Sequence, residues 1–596
     1  VLAAHLTEPS LHEIDFRIRL QRHEADRSVE PVARFVSPFA GPSRRRGRAA
    51  ELLREAARMS VVARRIEVPA QRRSVAGSAV IVMAASASSV VTGFGREVVA
   101  AHYYGTHAEM DAFLNASIIP TVLFGILTGA LVSALLPTFS EYMSSGRRDE
   151  VARLGSTVIN ALLIVMSALT LMAWVFAPAF VPIVAHGFAR AEQGLVIEMV
   201  RWLMPGVVAT SIGGVCAALL NVNHRFLASA SVTVAANAVA IACVIALHGE
   251  LGIFALVLGS VLGLFAQLLV QVPSIVRLGL YRMVLDLRHP GLAKSWGLLL
   301  PVAVGSGAWQ ISLAFDRYFA STLSAGSTAS LNYTTKLAFL PVPIIAGAIA
   351  TVTFPVMAGQ FASANHAGLR RSVASGLRMV TFIVVPCAAG LSALAYPIVQ
   401  TLFERGAFDA TATAACAAFI PFACVPLVAV SYNTVLGRAF NACRRVPLAV
   451  AGAIPAVIVN IVLSASLLPI LGARGLLLAN GIAGFSLLAY QLVVLARLLG
   501  GLEWRVLADS LGRTVLASLA MAGVLEALRG LGFSATHAPW SQVWHLIALL
   551  GTGAAVFALA ARLLGVKELA IALGTVRRKI AGGAPVLARG DRDAGD

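Results

Sequence analysis

Ionisable residues set inside apolar sequence are the groups with chemistry to offer in this chain. Arg96, Glu97 and Asp111 stand at the edges of two long apolar runs between Gly93 and Ser145. Asp316 and Arg317 come late in another run, and Lys336 follows Asn332, Tyr333, Thr334 and Thr335 at the start of the next. Glu404, Arg405 and Asp409 cluster between two further runs. A charge at the centre of a membrane helix costs about 2.5–3.5 kcal/mol on insertion scales, so it turns towards protein or a water-filled cavity. Arg96, Asp111, Arg317 and Lys336 are read as residues of one cationic cleft, which would attract an anion. Glu97, Asp316, Glu404 and Arg405 are read as secondary residues at its gate, with Glu404 and Arg405 equally suited to helix ends at an interface. Arg96 and Asp111 flank one turn and are expected to pair across it. Asn237 and Asn460, single amides in apolar runs, suit hydrogen bonds between helices. Neither HExxH, nor a Ser/His/Asp grouping, nor a Gly-rich phosphate loop occurs in a fitting context. The expectation is a protein that is not an enzyme and binds no metal or cofactor.

The elements that must hold these residues are membrane helices. Of 596 residues 58% are hydrophobic and 13% charged, with a mean hydropathy of +0.81; soluble domains carry about a quarter charged residues. Apolar runs near twenty residues recur from Gly77 to Gly565 without the alternation of a barrel strand, so they read as helices. They mark about fourteen spans: 75–93, 110–137, 155–185, 195–220, 226–248, 250–273, 296–322, 330–357, 373–400, 412–440, 447–470, 473–497, 512–531 and 542–565. The net charge of +18 sits in alternate links and in both tails, as at Arg147, Arg148 and Arg153, or Arg444 and Arg445. That distribution follows the positive-inside rule and argues for a membrane rather than nucleic acid. It puts both termini in the cytoplasm.

Residues 1–74 form a basic extension rich in arginine, such as Arg44, Arg45 and Arg46, and without the apolar core of a secretory signal. The first methionine is Met59, so residues 1–58 are open to reading as an over-extended start. A second basic tail covers 566–596. Six scattered cysteines with no CxxC pair read as buried thiols.

An internal repeat divides the spans. Leu114-Asn115 through Pro137-Thr138-Phe139 is echoed by Leu331-Asn332 through Phe354-Pro355, and Pro205 through Arg225 by Pro421 through Arg445. Arg96 falls opposite Arg317 at an offset that stays near 216–221 residues. Two six-helix lobes of like topology follow, 75–273 and 296–497, with 512–565 outside the repeat. Parallel repeats of this kind are a transporter architecture with the site between the halves. Pro341 and Pro343, like Pro120 and Pro205, could serve as bending points.

The sequence resembles the MurJ/MviN family of lipid II flippases, within the multidrug/oligosaccharidyl-lipid/polysaccharide exporter superfamily. The resemblance rests on Gly93-Phe94-Gly95-Arg96-Glu97, Tyr104-Gly105, Asp111-Ala112-Phe113, Ile119-Pro120 and Leu136-Pro137-Thr138-Phe139-Ser140-Glu141-Tyr142. It continues through Leu402-Phe403-Glu404-Arg405-Gly406-Ala407-Phe408 and Arg438-Ala439-Phe440, and covers about residues 75–570. It implies an all-α polytopic protein with a cationic cavity between two lobes and a groove for a polyprenyl tail along the last two helices. Lys336 stands where the family usually has an arginine, and Ser89-Val90 and Leu123–Gly129 lack two further arginines of the pattern. Arginine grips phosphate with paired donors and lysine as a point charge, so a weaker hold on pyrophosphate is implied.

The resemblance thus implies a monomeric flippase in the bacterial inner membrane, carrying lipid II from the cytoplasmic to the periplasmic leaflet by alternating access. It would be driven by membrane potential, H+ or Na+. A flippase for another undecaprenyl-linked glycan is the alternative, ahead of a cation-coupled exporter of small molecules.

Overall fold

The apolar runs fold into helices joined by links of a few residues. A computed structural model describes residues 87–123, 125, 129–223, 225, 228, 231–530 and 539–570, all within one compact unit, residues 81–596. The extension 1–74, the start of the first span, His224 and most of the tail 566–596 lie outside the described residues.

Helix α1 covers residues 87–104, and the second span carries α2 (Ala108–Leu123) and α3 (Gly129–Ser144). There follow α4 (Arg148–Val184), α5 (Arg190–Leu203), α6 (Pro205–Val222), α7 (Val232–Leu251) and α8 (Phe254–Arg277). The second half opens with α9 (Pro290–Ala320) and α10 (Ser327–Ala338), then a π-helical turn (Val342–Ala346) and α11 (Gly347–Ala362). It continues through α12 (His366–Ala393), α13 (Ala395–Phe403), α14 (Ala410–Ala442), α15 (Val446–Ala451), α16 (Ala453–Leu471) and α17 (Ala473–Leu499). Helices α18 (Trp504–Gly530) and α19 (Pro539–Leu563) close the chain.

Among the described residues eleven helices are long and apolar enough to cross a membrane, some counted across a short break. Of the other segments read from the sequence, 75–93 and 110–137 are only partly described, and 296–322 falls on α9. Large apolar side chains such as Leu171, Phe176 and Ile183 on α4 and Ile458, Val462 and Ile470 on α16 are exposed. Such a surface is costly in water and free in lipid.

Helix ends follow local chemistry. Pro205 and Pro290 open α6 and α9, where an absent N–H loses no helical bond. The side chains of Asn365 and Asp409 cap α12 and α14 by accepting from Gly368 N and Ala412 N. At Gly146 and Gly279 the backbone turns left-handed, and the next N–H reaches back to Tyr142 O and Ile275 O. Those bonds satisfy carbonyls that the helix end leaves open.

Left-handed residues pair at the spacing of the sequence motifs: Gly105 with Gly326, Gly146 with Ala364, Gly252 with Gly472, Gly279 with Gly500. Helix contacts pair likewise. α4 packs on α6 as α12 packs on α14; α7 on α8 as α16 on α17; α6 on α8 as α14 on α17. Asn237 of α7 donates to Thr92 of α1 at 3.4 Å, and Asn460 of α16 to Ser312 of α9 at 2.9 Å. Helix α9 also packs on α3 of the first half, where Ser295 meets Thr138 at 3.2 Å and Lys294 pairs with Glu141. The closing pair lies on the second half, α18 against α12 and α19 against α18 and α13, with Phe382 and Phe557 ring centroids 5.5 Å apart.

Candidate functional site at the seam between the halves

Arg96, Glu97, Asp111 and Arg317, four of the charged residues picked out in the sequence, lie where α1 and α2 face α9 and α10. This is the end with charge-poor links, here termed the outer end. Asp111, one turn into α2, is 3% exposed and aims at the start of α10. Its Oδ2 accepts from Gly326 N and its Oδ1 from Ala329 N, both at 2.7 Å. The first N–H groups of a helix lack partners and carry the positive end of its dipole, so a carboxylate is stabilised there.

Glu97, 6% exposed, joins the halves a second time. Its Oε1 accepts from Arg96 Nη2 at 3.0 Å and its Oε2 from Asn332 Nδ2 at 3.2 Å. The other end of the Asn332 amide accepts from Arg317 Nη2 at 3.4 Å. Arg96, Glu97, Asn332 and Arg317 thus form one chain across the seam, with two cations to one carboxylate. Lys336 lies one helical turn past Asn332 on α10 and is exposed.

Backbone contacts and aromatic rings close the seam. Tyr333 Oη donates to Gly105 O at 3.2 Å, and Ala407 N donates to His102 O at 2.8 Å. The Tyr333 ring packs on Phe403 and Phe408, and Phe403 packs on Phe94, with centroids 5.5–5.6 Å apart. Glycines permit the approach. A Cβ on Gly105 would lie 2.2 Å from Ala407 O, one on Gly326 2.4 Å from Thr106 O, and one on Gly406 2.3 Å from His102 O.

One expectation is corrected. Asp111 does not pair with Arg96, because its two oxygens are taken by the α10 backbone and Arg96 turns to its neighbour Glu97. Asp316 stands apart from the chain, accepting from Asn460 Nδ2 at 3.0 Å. Arg405 donates to Thr401 O at 2.6 Å within its own segment, and Glu404 is half-buried beside it. Sequence reasoning missed Asn332 as the link between the halves and Gly326 as the backbone donor. The glycine just before Ser327 and the amide one turn before Lys336 were the available signals. Among the described residues no group of three or more His, Cys, Asp or Glu is placed to hold a metal.

Comparison with known proteins decides the family. The profile described as "Lipid II flippase MurJ" matches residues 100–551. A Vibrio cholerae protein described as a probable lipid II flippase MurJ is 30% identical over 514 residues, which cover 82% of this chain and 96% of that protein. The chain belongs to the lipid II flippase MurJ family. A Burkholderia cenocepacia member is 26% identical over 404 residues, covering 66% of this chain and 78% of its own. Among solved structures, a lipid II flippase MurJ in an inward closed conformation superposes with a TM-score of 0.70 at 20% identity, over 81% of this chain and 98% of that one. A multidrug transporter of the MOP superfamily shares the fold at a TM-score of 0.57 and 15% identity, over 68% and 95%. As in those relatives, the fold is all-helical and polytopic.

Proposed function

We propose that this member of the family carries lipid II, the undecaprenyl-diphosphate-linked peptidoglycan precursor, from the cytoplasmic to the periplasmic leaflet of the bacterial inner membrane. The chain Arg96–Glu97–Asn332–Arg317, with exposed Lys336 a turn away, is the observation that carries the reading. It offers cations at a seam closed at one end, as an alternating-access site for a diphosphate requires. Arg96, Arg317 and Lys336 attract the head group; Asp111 and Glu97 hold the outer gate shut until the lobes 75–273 and 296–497 rock apart. Helices α18 and α19 lie along the path of the polyprenyl tail. The protein acts as a monomer with both termini in the cytoplasm and needs no cofactor. A potential of 100 mV contributes about 2.3 kcal/mol per charge moved, enough to bias a conformational equilibrium, and coupled H+ or Na+ would serve the same end.

A second reading, transport of another undecaprenyl-linked glycan, draws on Lys336 and Ser89-Val90 standing where the family pattern has arginines. One experiment separates them. In a host depleted of its own flippase, expression of this chain should restore exposure of lipid II at the periplasmic face, and Arg96→Ala should cut that rescue about tenfold or more. Failure of the wild-type chain would favour the second reading. Full rescue by Arg96→Ala would move the site elsewhere.

A further inference from the structure

The inner end of the closing helix pair holds a pocket that the outer seam does not use. Helix α19 stops at Leu563, and Gly565 takes left-handed backbone (φ +68°). Val566 N donates to Ala561 O at 2.8 Å and Gly565 N to Arg562 O at 3.2 Å, so the chain folds back beneath α18. The reversal brings Lys567 and Glu568 against Arg505, Asp509 and Arg513 of α18 and Arg378 of α12, around a cavity of about 190 Å3. Bulk water occupies about 30 Å3 per molecule, so roughly six waters or one hydrated phosphate fit.

The charges in this pocket do not balance. Glu568, 2% exposed, is taken by Arg378 and by Ser510 Oγ at 3.1 Å, and Asp509 accepts from Arg513 Nε at 2.8 Å. Against these two acids stand four cations. Arg505 and Lys567, both exposed at the rim, have no acidic partner among the described contacts. The surroundings are those of an interface. Trp504 opens α18 beside the pocket, and exposed Leu516, about one turn beyond Arg513 on the same face of α18, and Leu563, two residues before Gly565, lie next to it.

We propose that this pocket binds the phosphate of an anionic phospholipid head group in the leaflet next to the basic links, with the acyl chains along Leu516 and Leu563. Arg505 and Lys567 supply the uncommitted charge, and Arg378 and Arg513, held by Glu568 and Asp509, form the floor. Basic pockets between membrane helices recognise anionic head groups by the same chemistry. The head-group site shares no residue with the outer seam, so its test and that of the proposed function fail separately.

The test is native mass spectrometry of the full chain in detergent, titrated with phosphatidylglycerol or phosphatidylcholine. Phosphatidylglycerol should bind more tightly, and Arg505→Gln with Lys567→Gln should weaken it about tenfold or more. Arg505→Lys should retain binding, and Arg96→Ala should leave it unchanged. Because the Arg378–Glu568 pair stays intact, the double variant should keep the wild-type Tm. Equal affinity for both lipids, or undiminished phosphatidylglycerol binding by the folded double variant, would overturn the proposal. Inorganic phosphate binding as tightly as phosphatidylglycerol would also overturn it, by making free phosphate the ligand.

Discussion

Asp111 bonds two backbone N–H groups of the opposite half, so the hydrogen bonds of its carboxylate stabilise the closed outer end. Losing a capping side chain costs about 0.5–2 kcal/mol, here charged to the closed state alone. Asp111→Ala should therefore shift the population towards an open outer end by roughly 2- to 30-fold. Spin labels at residues 250 and 410, both exposed at that end, should show a longer-distance component grow. An unchanged distance distribution would mean the cap is not a gate contact. Gly326 supports a sharper comparison. It has φ +85°, and a Cβ would meet Thr106 O across the seam, whereas Gly146 has φ +73° with nothing within 4 Å. Left-handed backbone costs a residue with a Cβ about 1–2 kcal/mol. Gly146→Ala and Gly326→Ala should both lower Tm, yet only Gly326→Ala should lengthen the distance between the labels.

The same residues show what the sequence could reveal. Charge inside apolar runs drew attention to Arg96, Asp111 and Arg317, which the structure brings to one seam, because the cost of burying a charge is a local property. It could not identify the partner of Asp111, because that partner is backbone on a helix some 215 residues away, and backbone leaves no mark in composition.

At the scale of elements, helices were legible from hydropathy and their ends from proline, glycine and asparagine. The π-helical turn at Val342–Ala346 was not, since that stretch is apolar throughout and its hydrogen-bond register is set by the helices packed on it. Nor was the bridging course of α9, which belongs to the second repeat yet packs on α3 of the first. Contacts between elements also decide how the last helices are held. Glu568, just past α19, pairs with Arg378 of α12 and accepts from Ser510 of α18, and the two charged side chains are 3% and 20% exposed. Removing one partner of such a pair strands a buried charge and costs about 3–5 kcal/mol, while apolar replacement of both is often neutral. Glu568→Ala should therefore lower Tm strongly in detergent, and Arg378→Met with Glu568→Leu should recover most of the loss. Equal loss in the single and double variants would assign the effect to packing instead of charge.

Over the whole molecule, contacts that join the halves at the outer end run through Asp111, Glu97, Asn332, Tyr333, the 404–408 link and Gly187, whose N donates to Ser321 Oγ at 3.3 Å, and each uses backbone or a buried side chain. Such a seam opens as a unit, because breaking one contact strands polar groups that the others keep dry. Lys336 lies just past it and is exposed, which makes it a reporter of which end admits water. The native cysteines are suited to such an experiment: Cys216, Cys416, Cys424 and Cys443 are buried, and Cys243 and Cys387 are half-buried. Lys336→Cys in this background should react with a membrane-impermeant maleimide applied from the side of the basic links, and slowly from the other side. Adding Asp111→Ala should raise the rate from the outer side by the factor with which it shifts the gate, roughly 2- to 30-fold. Labelling from both sides at equal rates, with or without Asp111, would place Lys336 outside any alternating cavity and detach it from the transport site.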